Sequence, residues 1–222
     1  MNYAALSTAI QGYTQNYETT FVANIPTFVK QAEARIYNSV LFPALRKNVT
    51  AILNSGFKYL SCPTDFLASF SLSITDADDN QQYLLNKDVS FIRSAYPNAT
   101  DTGTPQYYSL FGPTVVSGAP TTELSFILGP TPDTSYTTEL HYYYYPTSIV
   151  TASTSWVGDN YDPVLLYGSL VEAYIFMKGE QDMMAYYEKK YQEAVQQLIR
   201  LGAGLEQGDT YRDTQFKIKV AP

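Results

Sequence analysis

Phe66-Leu67-Ala68-Ser69-Phe70-Ser71-Leu72-Ser73-Ile74 sets Phe66, Ala68, Phe70, Leu72 and Ile74 on one side and mostly serine on the other. Side chains of an extended backbone alternate between two faces, so this run predicts a strand with one buried face. Outward from it, short β-rich runs continue in both directions, from about Asn48 to Thr151. Asn54-Ser55-Gly56 divides Val49–Leu53 from Phe57–Leu60, which reads as a hairpin. Gln82–Leu85, Gln106–Phe111, Thr122–Leu128 and Thr138–Tyr145 are further strands, punctuated by Gly112-Pro113, Gly129-Pro130-Thr131-Pro132 and Pro146, with a short helix expected at Asp88–Ala95. Mixed, turn-bounded strands of this kind predict a small sandwich or barrel.

The period becomes helical beyond both ends of this region. In Asn24–Arg46 the apolar positions Phe28, Ala32, Ile36 and Val40 recur every four residues, on one side of a helix. Pro26 suits its first turn, where a missing N–H is no loss, and Pro43 should bend or end it. A shorter amphipathic piece is expected ahead of it, with Leu6, Ile10 and Tyr13 on one face. On the far side, Asp162-Pro163 is a helix start signal. Val164–Lys178 is apolar over more than half its circumference and reads as the buried central helix, broken by Gly179. Gln181–Leu201 carries Met184, Tyr187, Tyr191, Ala194, Val195, Leu198 and Leu201 in a three-four spacing. That is too short for a coiled coil, so an antiparallel helix pair closing on the first helix is expected.

The expected fold is therefore α+β. Residues 1–47 and 152–205 form a helical bundle, a mostly antiparallel β domain is inserted at 48–151, and an extended C-terminal arm covers 206–222. In the arm, Phe216, Ile218 and Val220 alternate with Lys217 and Lys219. That pattern can pair with an exposed sheet edge, on its own domain or on a neighbour, or stay a frayed terminus.

With 222 residues of which 45% are hydrophobic, the chain can bury a sizeable core. Charged residues reach only 16%, against roughly 25% in an average soluble chain, while aromatics make up 15% and tyrosine alone contributes 21 residues. Tyrosine suits surfaces that are buried on assembly, and it equally suits strands. A net charge of −7 argues against gripping nucleic acid, which relies on Lys and Arg displacing counterions. One cysteine, Cys62, excludes a disulfide within the chain and a cysteine-based zinc site. Met1–Ile10 holds no basic residue ahead of an apolar run and does not read as a secretory signal. The most apolar stretch, Val164–Met177, falls short of the roughly 20 residues a membrane span needs, so no membrane partner is expected.

Few residues carry a pattern suited to chemistry. His141, the one histidine, sits in a strand on the face of Tyr143 and Tyr145, where packing is its default role. Asp76-Ala77-Asp78-Asp79-Asn80 opens like a calcium loop, but Gln81 stands where the sharp turn wants glycine and Lys87 where a bidentate glutamate belongs. A solvated hairpin tip explains it better. Glu33, Glu172 and Glu180 lie on expected helices beside Arg35 or Lys178, as in ordinary helix-surface pairing. There is no phosphate loop and no nucleophile elbow, so no catalytic residue, metal or cofactor is expected. Two facing carboxylates of a glycosidase are not excluded by sequence. The candidate residues are instead packing positions of the bundle or of a subunit contact: Phe28, Ile36, Tyr167, Met184, Tyr187 and Tyr191.

Several short pieces resemble, in order and spacing, the head-to-tail adaptor (connector) proteins of tailed phages, the group of tail tubular protein A. They are Ile25-Pro26 with Phe28, Ala32-Glu33 and Arg35-Ile36; Tyr59, Pro63, Asp65 and Phe66; Gly103 with Pro105, Tyr107 and Tyr108; and Pro130 with Pro132. Leu140 with Tyr142, Tyr143 and Pro146 follows, then Trp156, then Leu165-Leu166-Tyr167-Gly168 with Leu170, Glu172 and Ala173. Tyr59-Leu60-Ser61-Cys62-Pro63 departs from the pattern, which points to a bulge or shifted register there. The resemblance implies a virion structural protein, assembled in the host cytoplasm into a ring of about twelve copies. That ring joins the portal to the tail nozzle and lines a channel through which genomic DNA passes without sequence-specific binding. It also implies that the arm, with Phe216, Lys217, Ile218, Lys219 and Val220, reaches the portal. A tail receptor- or carbohydrate-binding module is the alternative, weakened by there being one tryptophan, Trp156; a cell-wall hydrolase is a weaker third.

Overall fold

The computed structural model describes residues 1–98, 100–116 and 119–205. Its elements run α1 (Tyr3–Thr14), α2 (Thr19–Ser39), a 3-10 turn (Pro43–Leu45), β1 (Arg46–Leu53), β2 (Tyr59–Ser61), β3 (Phe66–Thr75), β4 (Gln81–Tyr83) and β5 (Leu85–Asn86). Then come α3 (Val89–Ala95), β6 (Thr102–Gly103), β7 (Tyr107–Val116), β8 (Ala119–Gly129), β9 (Thr131–Pro132) and β10 (Tyr136–Tyr144). The chain closes with α4 (Ile149–Ala152), α5 (Trp156–Asn160), α6 (Asp162–Met177) and α7 (Gln181–Leu205). The protein is α+β, with helices from both ends of the sequence and a mostly antiparallel β region inserted between them in the chain. Two compact units emerge: a helical one, comprising Met1–Ala44 and the chain from Pro146, and a β unit, Leu45–Tyr145.

In the helical unit α6 packs against α1, α2 and α7. Val164, Leu165, Leu170 and Ala173 on α6 are all but fully buried, as a helix apolar nearly all round requires. It starts with Pro163 in its first turn and stops at Lys178, whose φ of 53° is left-handed; the N–H groups of Lys178 and Gly179 return to the Tyr174 carbonyl. Close approach needs Gly168: a Cβ there would lie 3.1 Å from the Ala32 Cβ on α2 and 3.2 Å from the Tyr191 ring on α7. Helix α2 buries Phe28, Ala32 and Ile36 as their spacing predicts, yet it begins at Thr19 and ends at Ser39. Pro26 is therefore interior rather than in the first turn. An interior proline leaves the carbonyl four residues earlier without its donor, a loss of about 3 kcal/mol or more in an exposed helix. Here it is offset by burial of Phe21, Ile25, Phe28 and Val29 around it. On α1, Leu6 and Ile10 are buried while Tyr13 is 50% exposed.

In the β unit two four-stranded sheets, β1-β10-β3-β4 and β2-β8-β7-β5, face each other across a core of Leu53, Leu72, Ile74, Leu140 and Tyr142 from one and Tyr108, Phe126 and Leu128 from the other. Both sheets are open, so the sandwich stands and the barrel does not. Pairing is antiparallel except for β5 with β7 and the short ladder of β6 with β9. The expected hairpin across Asn54-Ser55-Gly56 is absent. β1 pairs with β10 over its whole length, from Arg46↔Tyr143 to Leu53↔Tyr136, while β2 pairs with β8 in the other sheet. The turn is held by its neighbours: Gly56, at φ 77°, donates to the Pro132 carbonyl and the Ser55 hydroxyl to that of Asp133. That anchoring sends the chain across to the second sheet. Within Tyr59–Ser61, β2 pairs with β8 in even register.

The opening alternation holds for Leu72 and Ile74 and fails at Phe70, which is 49% exposed. The β10–β3 ladder steps from His141↔Ser71 to Tyr142↔Ser69, skipping Phe70, and again between Tyr143↔Ala68 and Tyr144↔Phe66. A bulged residue breaks the two-residue period. Phe70 is turned to the outer face, edge-on to His141 and Tyr143 and under the Arg46 guanidinium at 4.0 Å, and the second step returns Phe66 to the core.

Candidate functional site

Residues capable of chemistry are held in structural roles. His141 packs edge-on to Phe70 on the outer face of the first sheet, beside a shallow polar cavity of about 350 Å3 lined by Asn48, Ser71, Ser73, Tyr83, Glu139 and His141. Glu139 is its one carboxylate and accepts from Asn48 at 2.7 Å and Gln81 at 3.3 Å, both neutral amides. Asp76 accepts from the Asp78 and Asn80 N–H groups and the Asn80 amide, which closes the β3–β4 tip and holds its carboxyl below the usual range. Among the described residues no three His, Cys, Asp or Glu side chains gather as a metal site. Burial pushes the Cys62 thiol up to about 12, so it stays protonated and unreactive.

Three polar centres knit the units internally. Glu33, expected on the helix surface, is only 3% exposed and accepts from the Ile149 N–H at 2.8 Å, closing the start of α4. Glu172 and Glu188 both meet Arg35, at 3.4 Å and 2.9 Å, and that guanidinium lies 4.4 Å from the Tyr191 ring, so α2, α6 and α7 share one charged hub. In the β unit Asp65 accepts from Lys47 at 2.5 Å and from the Tyr142 hydroxyl at 2.8 Å, and its carbonyl receives the Tyr145 N–H. Burial alone would raise the Asp65 carboxyl, but these donors outweigh it and lower it.

The packing candidates divide. Phe28, Ile36, Tyr187 and Tyr191 are buried in the helical unit; Tyr167 and Met184 are half-buried. Phe216, Lys217, Ile218, Lys219 and Val220 lie outside the described residues. Periodicity did not single out the large apolar side chains left in water: Ile52 at 70%, Phe57 at 67%, Tyr17 at 66% and Tyr186 at 51%. Nothing in their local sequence separates an exposed isoleucine from a core one. Between α2 and α7 runs a groove of about 560 Å3 lined by Arg35, Asn38, Tyr191, Gln192, Val195 and Ile199. A second groove, about 230 Å3, opens between β1 and the β2 end, lined by Val49, Ala51, Leu60, Cys62 and Leu140 among others. Among the described residues no helix is long and apolar enough to cross a membrane.

Among the described residues the geometry offers these two grooves and the exposed apolar side chains as surfaces. Compared with known protein families, the chain matches the family model described as SU10 adaptor protein over residues 1–215. No curated protein matches it.

Proposed function

The chain belongs to the SU10 adaptor protein family, and from that premise we propose that it is a structural subunit of the head-to-tail junction of a tailed phage, of the tail tubular protein A type. The observation that carries this reading is the extent of the match, residues 1–215, which takes in both the helical and the β unit. Copies associate head to tail in a ring of about twelve, one end under the portal and the other receiving the tail nozzle or further tail proteins. The subunit performs no reaction of its own. Ring closure by head-to-tail contacts needs two different complementary patches on each copy. Exposed Tyr17 and Tyr186 on the helical unit, and Ile52 and Phe57 on the β unit, are apolar anchors of the kind that fill such contacts.

Light scattering followed by imaging, with and without a purified portal, tests the proposal. A ring that caps the portal is expected. A monomer indifferent to the portal overturns it, and a trimer would turn the reading to a receptor-binding module.

A further inference from the structure

Among the described residues, the open side of the sandwich carries an unfinished edge. β1 ends the order β1-β10-β3-β4 and β2 ends the order β2-β8-β7-β5, and both line the 230 Å3 groove. β1 has eight residues and β2 three, so the core-facing side of β1 overhangs its neighbour. Val49 and Ala51 pair with Leu140 and Thr138 on that core side, yet Val49 is 38% exposed and Ala51 is exposed as well. Natural edge strands are blunted by charge, proline or cover. β1 has Arg46 and Lys47 at its start only, and Thr50-Ala51-Ile52-Leu53 has neither charge nor proline. An apolar notch beside an edge that carries no charge from Asn48 to Leu53 calls for a cover, and its volume is below the roughly 300–1,000 Å3 of small-molecule sites.

The sequence holds one segment of matching design outside the described residues, Gln215-Phe216-Lys217-Ile218-Lys219-Val220. We propose that this C-terminal segment of a neighbouring copy adds as a strand to the free edge of β1, with Phe216, Ile218 and Val220 turned to the groove of Val49, Ala51, Leu60 and Cys62. Strand addition draws affinity from main-chain hydrogen bonds and specificity from notches that take every second side chain, and both features are present. Lys217 and Lys219 then stay on the outer face in water. The contact is head-to-tail, since arm and edge are different surfaces. It rests on the reading that copies associate.

Cysteine pairs test it in the full chain carrying Cys62→Ser. Ala51→Cys is combined in turn with cysteine at 216, 217, 218, 219 or 220, and mild oxidation is followed by non-reducing electrophoresis. Disulfides need Cβ atoms about 3.8 Å apart, so one of the 216, 218 or 220 pairs should give covalent multimers at least about tenfold above the 217 and 219 pairs. Equal yields across all five, or bridges only within one chain, overturn the inference. Light scattering on the same unoxidised samples separates the two readings. A monomer removes the association premise, whereas ring-sized particles without the alternating bridge refute strand addition alone and return the arm to the portal.

Discussion

A charge that sequence spacing places on a helix surface is buried at Glu33, and its environment gives a sign that can be measured. Burial raises the carboxyl; the Ile149 N–H, the Ser148 hydroxyl and the charge of Lys30 lower it, and burial wins. The folded state thus holds the proton more tightly than the unfolded chain does. Stability from this group is fully present below the ordinary carboxylate range and is lost as pH rises through the raised folded value. Glu33→Gln keeps an oxygen for the Ile149 N–H and removes the ionisation. The glutamine variant should therefore match or exceed the parent at pH 7, with the advantage fading towards pH 4, as urea unfolding at both pH values would show. An advantage that grows on acidification refutes the assignment. Glu33→Ala leaves a buried N–H unmet and should lose about 1–3 kcal/mol at either pH.

Among elements, α2, α6 and α7 approach closely around Gly168, with Ala32 and Tyr191 on either side. Gly168→Val adds two methyls and a Cβ where a Cβ alone is already crowded. Overpacking of this kind costs typically about 1–3 kcal/mol, offset little by the better helix propensity of valine. Thermal unfolding should show a clear loss; an unchanged midpoint would mean that α2 and α7 move apart freely. Helices α2, α6 and α7 were legible because their signal is local: Phe28, Ala32 and Ile36, or Tyr187, Tyr191 and Leu198, reveal one face without reference to any other part of the chain. Strand pairing is not local. Arg46 meets Tyr143, and no short pattern around Asn54-Ser55-Gly56 says whether the turn folds β2 back on β1 or sends it across to β8. Phe70 shows the same limit, since an alternation is read as unbroken until the partner strand reveals a bulge. Exposed apolar side chains such as Ile52 were illegible for a further reason: their residue types are those of a core, and the local pattern does not say which of them are covered.

For the whole molecule, charge is the property that acts at a distance. The chain carries 14 basic against 21 acidic residues, a net −7, and every copy added to an assembly adds the same sign. Duplex DNA binds proteins non-specifically by exchanging counterions for Lys and Arg, with dissociation constants typically about 10⁻⁴–10⁻⁶ M at physiological salt. In the proposed role DNA passes through the junction, and such a grip would gain nothing there, because each contact would have to be broken as the next base pair advances. A predominantly acidic assembly repels phosphate instead, and the repulsion weakens over a Debye length of roughly 10 Å in 0.1 M salt. The assembled protein should therefore leave the electrophoretic mobility of linear duplex DNA unchanged even near 50 mM salt, with any dissociation constant weaker than about 10⁻⁴ M. Retardation that appears at low salt and fades steeply as salt is added would reveal a concentrated basic surface, and the account of unhindered passage would fall with it.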